Sequence, residues 1–115
     1  MTRWLVVWLA LLITPAWAGD LGTDLARIQH RWAEIQYRLP EGDRASAFEA
    51  LAKEAETLVA AYPDRAEPRI WQGIVLSTYA GAKGGLAALG LVKRARQALE
   101  QALELDATAL DGSAY

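Results

Sequence analysis

Residues 66–107 read AEPRIWQGIVLSTYAGAKGGLAALGLVKRARQALEQALELDA, and this stretch decides the fold. Ile70, Trp71, Ile74, Val75 and Thr78 recur at helical spacing and give one broad apolar face. That helix is expected to start near Glu67, with Pro68 tolerated in a first turn where its missing N–H costs nothing. Ala80–Gly90 then forms a glycine-rich insert that is expected to break the helix. A second helix is predicted from Leu86 or Leu91 to Leu105, with Val92, Ala95, Leu99, Ala102 and Leu103 inward. Arg96, Glu100 and Glu104 form a solvated charged row on the same helix.

Two more helices precede this pair. Leu25, Ile28, Trp32, Ile35 and Leu39 step by three and four, after a Gly22-Thr23-Asp24 stretch suited to capping. Pro40 stops that helix, and Glu41-Gly42-Asp43 reads as the turn. The next helix is expected over Arg44–Ala61, its buried stripe formed by Phe48, Leu51, Ala52, Ala55, Leu58, Val59 and Tyr62. Ser46 and Glu49 have capping-box spacing, and Glu49 precedes Lys53 by four residues, the favourable ion-pair order. Pro63 closes it. Short connections between such helices favour antiparallel packing.

The pairs also fit a repeat. In a tetratricopeptide unit of about 34 residues, small and larger apolar residues recur at set positions of two antiparallel helices. With Pro63 at the inter-repeat position, Leu51, Ala55 and Leu58 fall on the second-helix signature and Gly73 on the small-residue position of the next first helix. The next inter-repeat position is Ala107, and the surplus of about ten residues falls in Ala80–Gly90. The predicted fold is therefore all-α: antiparallel helix pairs of a tetratricopeptide-like α-solenoid, one over about residues 24–62 and one over 67–105. Residues 106–115 look like the start of a further, incomplete repeat, whose absence would leave an apolar face uncovered.

The N-terminus reads differently. Met1-Thr2-Arg3 is a short positive start, Trp4–Ile13 is unbroken apolar sequence, and Pro15 precedes Ala16-Trp17-Ala18. This is the pattern of a secretory signal peptide, residues 1–18, with cleavage expected after Ala18. The rival reading is an uncleaved membrane anchor, but ten apolar residues fall short of the roughly 20 that span a bilayer, and no stable membrane insertion is expected after signal cleavage. The expected location is periplasmic or secreted. The chain has no cysteine, so neither a disulfide framework nor a lipidated thiol is available. Without Arg3, the helical-repeat domain at 19–115 carries 11 basic and 14 acidic residues. That mixed, mildly acidic balance gives no support to nucleic-acid binding, which calls for a basic face.

Candidate chemistry is sparse. Lys83-Gly84-Gly85 lacks the G-x-x-x-x-G-K-[ST] order of a phosphate loop and follows a helix, not a strand. Its plainer reading is a turn in which Gly81, Gly84, Gly85 and Gly90 permit positive φ or close contact, and a middle reading makes it a ligand or partner surface. His30 stands alone off the apolar stripe and reads as a surface residue, not a zinc ligand. Arg27, Arg31 and Arg38 read as a solvated face before an anion grip. Trp32 and Trp71 lie on core stripes, while Tyr37 and Tyr79 are the better candidates for an exposed groove. No nucleophile–histidine–acid set can be assembled, so no enzyme, cofactor or metal is expected.

The run WQGIVLSTYAGAKGGLAALGLVKRAR, the closing ALDGSAY, and the upstream RWAEIQYRLP and AYPDRAE resemble a known family. They are similar to the tetratricopeptide-like T-component proteins associated with TRAP (tripartite ATP-independent periplasmic) transporters. The most specific piece is TYAGAKGGLAALG, which an ordinary repeat lacks. The resemblance implies a non-catalytic, all-helical periplasmic scaffold, homo-oligomeric in some members, that engages a substrate-binding protein and helps deliver apolar ligands. Members continue past the DGSAY position, so the chain looks cut short, and Gly19 stands where some members carry a lipidated cysteine. The partner or ligand contact expected from these readings comprises Trp71, Tyr79, Lys83, Gly84, Gly85 and Leu86. A binder of small apolar molecules between helices, or a plain structural repeat, stands beside the scaffold reading.

Overall fold

The computed structural model of the chain describes residues 20–114; the expected signal peptide lies outside the described residues. Four α-helices follow one another: α1 (Asp20–Arg38), α2 (Glu41–Ala61), α3 (Ala66–Lys83) and α4 (Ala87–Leu105). A short 3-10 turn follows at Ala109–Gly112. The described residues are all-α, as the periodicity predicts.

Apolar spacing places the helices. Leu25, Ile28 and Ile35 of α1 are buried, and Phe48, Leu51, Ala52, Ala55 and Leu58 of α2 face them. From α3, Val75, Leu76, Tyr79 and Ala80 complete this core, joined by Leu91 and Ala95 of α4. A second cluster gathers Ala66 and Ile70 of α3, Ala102 of α4, and Ala109 and Ala114 beyond it. Residues 106–114 thus fold back against the second helix pair, over a turn opened by the Asp106 carboxylate. That carboxylate accepts from the Thr108 N–H at 3.0 Å and the Thr108 hydroxyl at 2.7 Å. Both bonds hold Asp106 below the ordinary carboxylate range.

α3 is the hub. It packs against α1, α2 and α4, whereas α4 makes its close backbone approach to α3 alone among the described helices. The α3–α4 approach depends on Gly73: a Cβ there would lie 2.7 Å from Leu99 Cγ and Cδ2 and 3.3 Å from the Ala95 carbonyl oxygen.

Five local expectations are corrected. Glu41-Gly42-Asp43 is not a separate turn but the first turn of α2, which starts directly after Pro40. Glu41 and Asp43 there complement the positive helix end, and Arg44 Nε donates back to the Leu39 carbonyl at 3.1 Å, satisfying a free carbonyl near the end of α1. Ser46 and Glu49 consequently lie inside the helix and form no capping box; the Ser46 hydroxyl donates to the Asp43 carbonyl instead. The α1 start also falls earlier, at Asp20, so Asp24 is helical and pairs with Arg27 at 3.2 Å.

The fourth correction concerns the insert. Ala80–Lys83 continue α3 and Ala87–Gly90 open α4, so only Gly84-Gly85-Leu86 interrupt the helices. The extra residues lengthen both helices of the pair. Leu91, Ala95, Ala98 and Ala102 form the buried stripe of α4. Val92, expected inward, is 52% exposed.

Candidate functional site

The expected contact residues divide between two places. Tyr79, Lys83, Gly84, Gly85 and Leu86 meet at the tip of the α3–α4 hairpin. Trp71 lies eight residues before Tyr79, about 12 Å back along the helix axis, and packs edge-on against Trp32 with ring centroids 6.0 Å apart. Trp32 in turn meets Tyr37 edge-on, also at 6.0 Å, and its indole N–H donates to Thr78 Oγ1 at 3.1 Å. Both indoles are half-buried members of the core edge, while Tyr37 is 73% exposed.

Tyr79 is buried, not part of an exposed groove. Its hydroxyl donates to Glu49 Oε2 of α2 at 2.8 Å, which gives a buried ring a partner for its one polar atom. That bond, then burial, then the Glu49 charge raise the Tyr79 hydroxyl above its ordinary pKa, with the Arg94 guanidinium opposing. Glu49 also stands 3.9 Å from Lys53, the predicted pair. At the helix end, the Lys83 ammonium sits 5.8 Å from the Tyr79 ring centroid, within cation–π range.

Gly84 and Gly85 have φ of 67° and 68°, a consecutive pair of positive-φ glycines that reverses the chain. The Gly84 N–H closes α3 on the Ala80 carbonyl at 3.0 Å, and the Ala88 N–H reaches the Gly85 carbonyl at 3.2 Å as α4 starts. Gly81 and Gly90 have no such role; both are helical. Residues 81–87 are all exposed, so the tip is convex, and Leu86 is 87% exposed.

Reading the insert as a loop missed the tip's composition. From Pro68 to Leu99 the chain has no Asp or Glu, yet it holds Arg69, Lys83, Lys93, Arg94 and Arg96 within an acidic protein. Exposed Leu86, Leu89 (62%) and Val92 lie among the last four of these cations. Steps of three and four put Leu86, Leu89 and Lys93 on one outward stripe, with Val92 and Arg96 beside it. Arg96 pairs with Glu100 at 2.9 Å; Lys93 and Arg94 make no ion pair among the described residues. The run of missing acids was the available sequence signal.

Three hollows are found among the described residues, one of them beside α1 at His30, Glu34, Tyr37 and Arg38. An apolar groove of about 280 Å³ runs beside α4, lined by Val92, Leu99 and Leu103 with Ser77 of α3 and Ala114. A larger cavity of about 630 Å³ lies between the start of α2 and the end of α3, bounded by Gln36, Glu41, Arg44, Phe48, Thr78 and Gly81. On α1, His30 is exposed, and Arg27 and Arg31 are engaged by Asp24 and Glu34. These two arginines therefore form no open anion grip. No group of three or more His, Cys, Asp or Glu side chains able to hold a metal occurs among the described residues.

No family model, no curated protein and no solved structure matches the chain.

Proposed function

We propose that the chain is a non-catalytic, exported helical-repeat scaffold that binds other proteins, serving as an accessory of a TRAP-type periplasmic transport system. The observation that carries this reading is the order of packing. Each pair of consecutive helices is in contact and α3 bridges both pairs, but α4 stands beside α3 alone. A stacked helical repeat has that contact pattern, in which each unit touches only its neighbours. Such a stack ends in a groove, and Val92, Leu99 and Leu103 line one here. A helix laid in that groove, from a partner or a second copy, would bury them.

The alternative, a binder of small apolar molecules, draws less support. The apolar groove is smaller than the roughly 300–1,000 Å³ of ordinary small-molecule sites. The larger cavity is bounded by Glu41, Arg44 and Gln36, a lining suited to polar groups and water.

Titration of the purified protein with a TRAP-type substrate-binding protein, followed by light scattering and calorimetry, tests the scaffold reading. A defined complex that Val92→Glu, at the exposed rim of the groove, weakens about tenfold with an unchanged melting temperature supports it. Absence of any complex removes the transport role. Lipid-like mass retained in native mass spectrometry, with no protein complex, would favour the ligand binder.

A further inference from the structure

We infer that the α3–α4 tip docks, end-on, against an anionic lipid surface. This inference stands on the tip alone and does not rest on the scaffold reading. Leu86 and Leu89 project from a convex, glycine-turned apex, and no described cavity includes either of them. A convex apolar apex offers little shape for a protein surface to read, whereas a fluid lipid interface conforms to it. The cations stand behind the leucines in the right order. Along α4, with its rise of about 1.5 Å per residue, Lys93 and Arg94 lie about 10 Å back from Leu86. Apolar side chains of interfacial helices reach about 5–10 Å into the headgroup and acyl boundary. Leucines at that depth leave Lys93 level with the headgroup phosphates, with Arg94 on the flank toward Tyr79, and Lys83 can extend its ammonium there from the end of α3.

The remaining charges set the orientation. Every Asp and Glu lies at or before Glu67 or at or after Glu100. The acids near this end, Glu41, Asp43 and Glu49, belong to α2, whose backbone packs against α3 and not α4; Glu49 bonds the Tyr79 hydroxyl on the side where Arg94 also acts. A negatively charged bilayer therefore repels most of the protein and attracts the outward face of early α4. No described helix is long and apolar enough to cross a membrane, so the docking is peripheral.

The chain has no cysteine, so Leu86→Cys provides a unique thiol for an environment-sensitive fluorophore. The same label on exposed Ala60→Cys of α2 reports the far surface. Full-length protein is mixed with phosphatidylcholine vesicles, alone or with about a third phosphatidylglycerol. The expected result is a blue shift of the Leu86 label on anionic vesicles only, with the Ala60 label unmoved. Lys83→Glu with Lys93→Glu should weaken the Leu86 shift at least about tenfold in vesicle concentration. A silent Leu86 label, an equal shift on neutral vesicles, or a shift indifferent to the charge reversal would each overturn the inference. A shift with polyglutamate but not with vesicles would do so in favour of an acidic protein surface. Because the label reports only the tip, membrane binding through the N-terminal apolar run cannot mimic the expected result.

Discussion

Gly73 of α3 and Leu99 of α4 share one space: a Cβ on Gly73 would stand 2.7 Å from both Leu99 Cγ and Cδ2. Gly73→Ala gains about 1 kcal/mol of helix propensity but forces Leu99 or the α4 backbone to shift, an overpacking cost of about 1–3 kcal/mol. The expected net effect is a loss of about 1 kcal/mol in urea denaturation. Combining it with Leu99→Ala removes the clash. The double variant should therefore be more stable than the sum of the single effects predicts, and simple additivity would show that the approach is not tight.

The Tyr79–Glu49 hydrogen bond makes stability fall at high pH. Tyr79 has a raised folded-state pKa, so the folded chain holds its proton more firmly than the unfolded chain. The stabilisation is complete below the ordinary tyrosine value of about 10 and is lost as pH rises from there through the folded value. Tyr79→Phe should cost about 0.5–1.5 kcal/mol at neutral pH and flatten the decline above pH about 10. An unchanged alkaline limb in the variant would assign that decline to other groups.

Much of this architecture is legible in the sequence because apolar spacing fixes which faces are buried. Leu25, Ile28 and Ile35, and Phe48 through Leu58, are where the period puts them, and Gly73 marks the close approach. The α3–α4 connection is less legible for a physical reason. Ala80, Gly81, Ala87 and Gly90 carry too little side chain to show a helical period, so helix and loop look alike there. Leu91-Val92 offers two apolar phases, and contact with α3 selects Leu91. Tyr79 misleads in another way: its hydroxyl suggests an exposed surface until a partner, Glu49 on another helix, is in place. Within the expected site, the glycine turn and exposed Leu86 were readable, whereas the separation of Trp71 from the tip depends on its packing against Trp32.

The turn predicts its own tolerance. Gly84→Ala and Gly85→Ala each place a Cβ on a residue of positive φ, at about 1–3 kcal/mol, although neither Cβ would meet another atom within 4 Å. Asn should cost less than Ala at Gly85, since it tolerates positive φ more readily, but not at Gly84, whose ψ of −176° puts it in a region essentially open to glycine alone. Thermal denaturation of the four variants separates conformational strain from steric clash. Equal losses for Ala and Asn at Gly85 would argue against strain as the cause.

The Trp32–Thr78 hydrogen bond ties α1 to α3 across the first core. Thr78→Val keeps the side-chain shape but leaves the half-buried indole N–H without its 3.1 Å acceptor, and Trp32→Phe removes the donor. Each single change should destabilise, Trp32→Phe by more because its packing against Trp71 shrinks as well. Once the indole is gone, Thr78→Val has no bond between helices left to break; the hydroxyl's bonds to Ile74 and Val75 in its own helix are lost in either background and cancel from the cycle. A double-mutant cycle should give a coupling of about 0.5–1.5 kcal/mol. A coupling near zero would mean that solvent satisfies the indole equally well and that α1 is held to α3 by apolar packing alone.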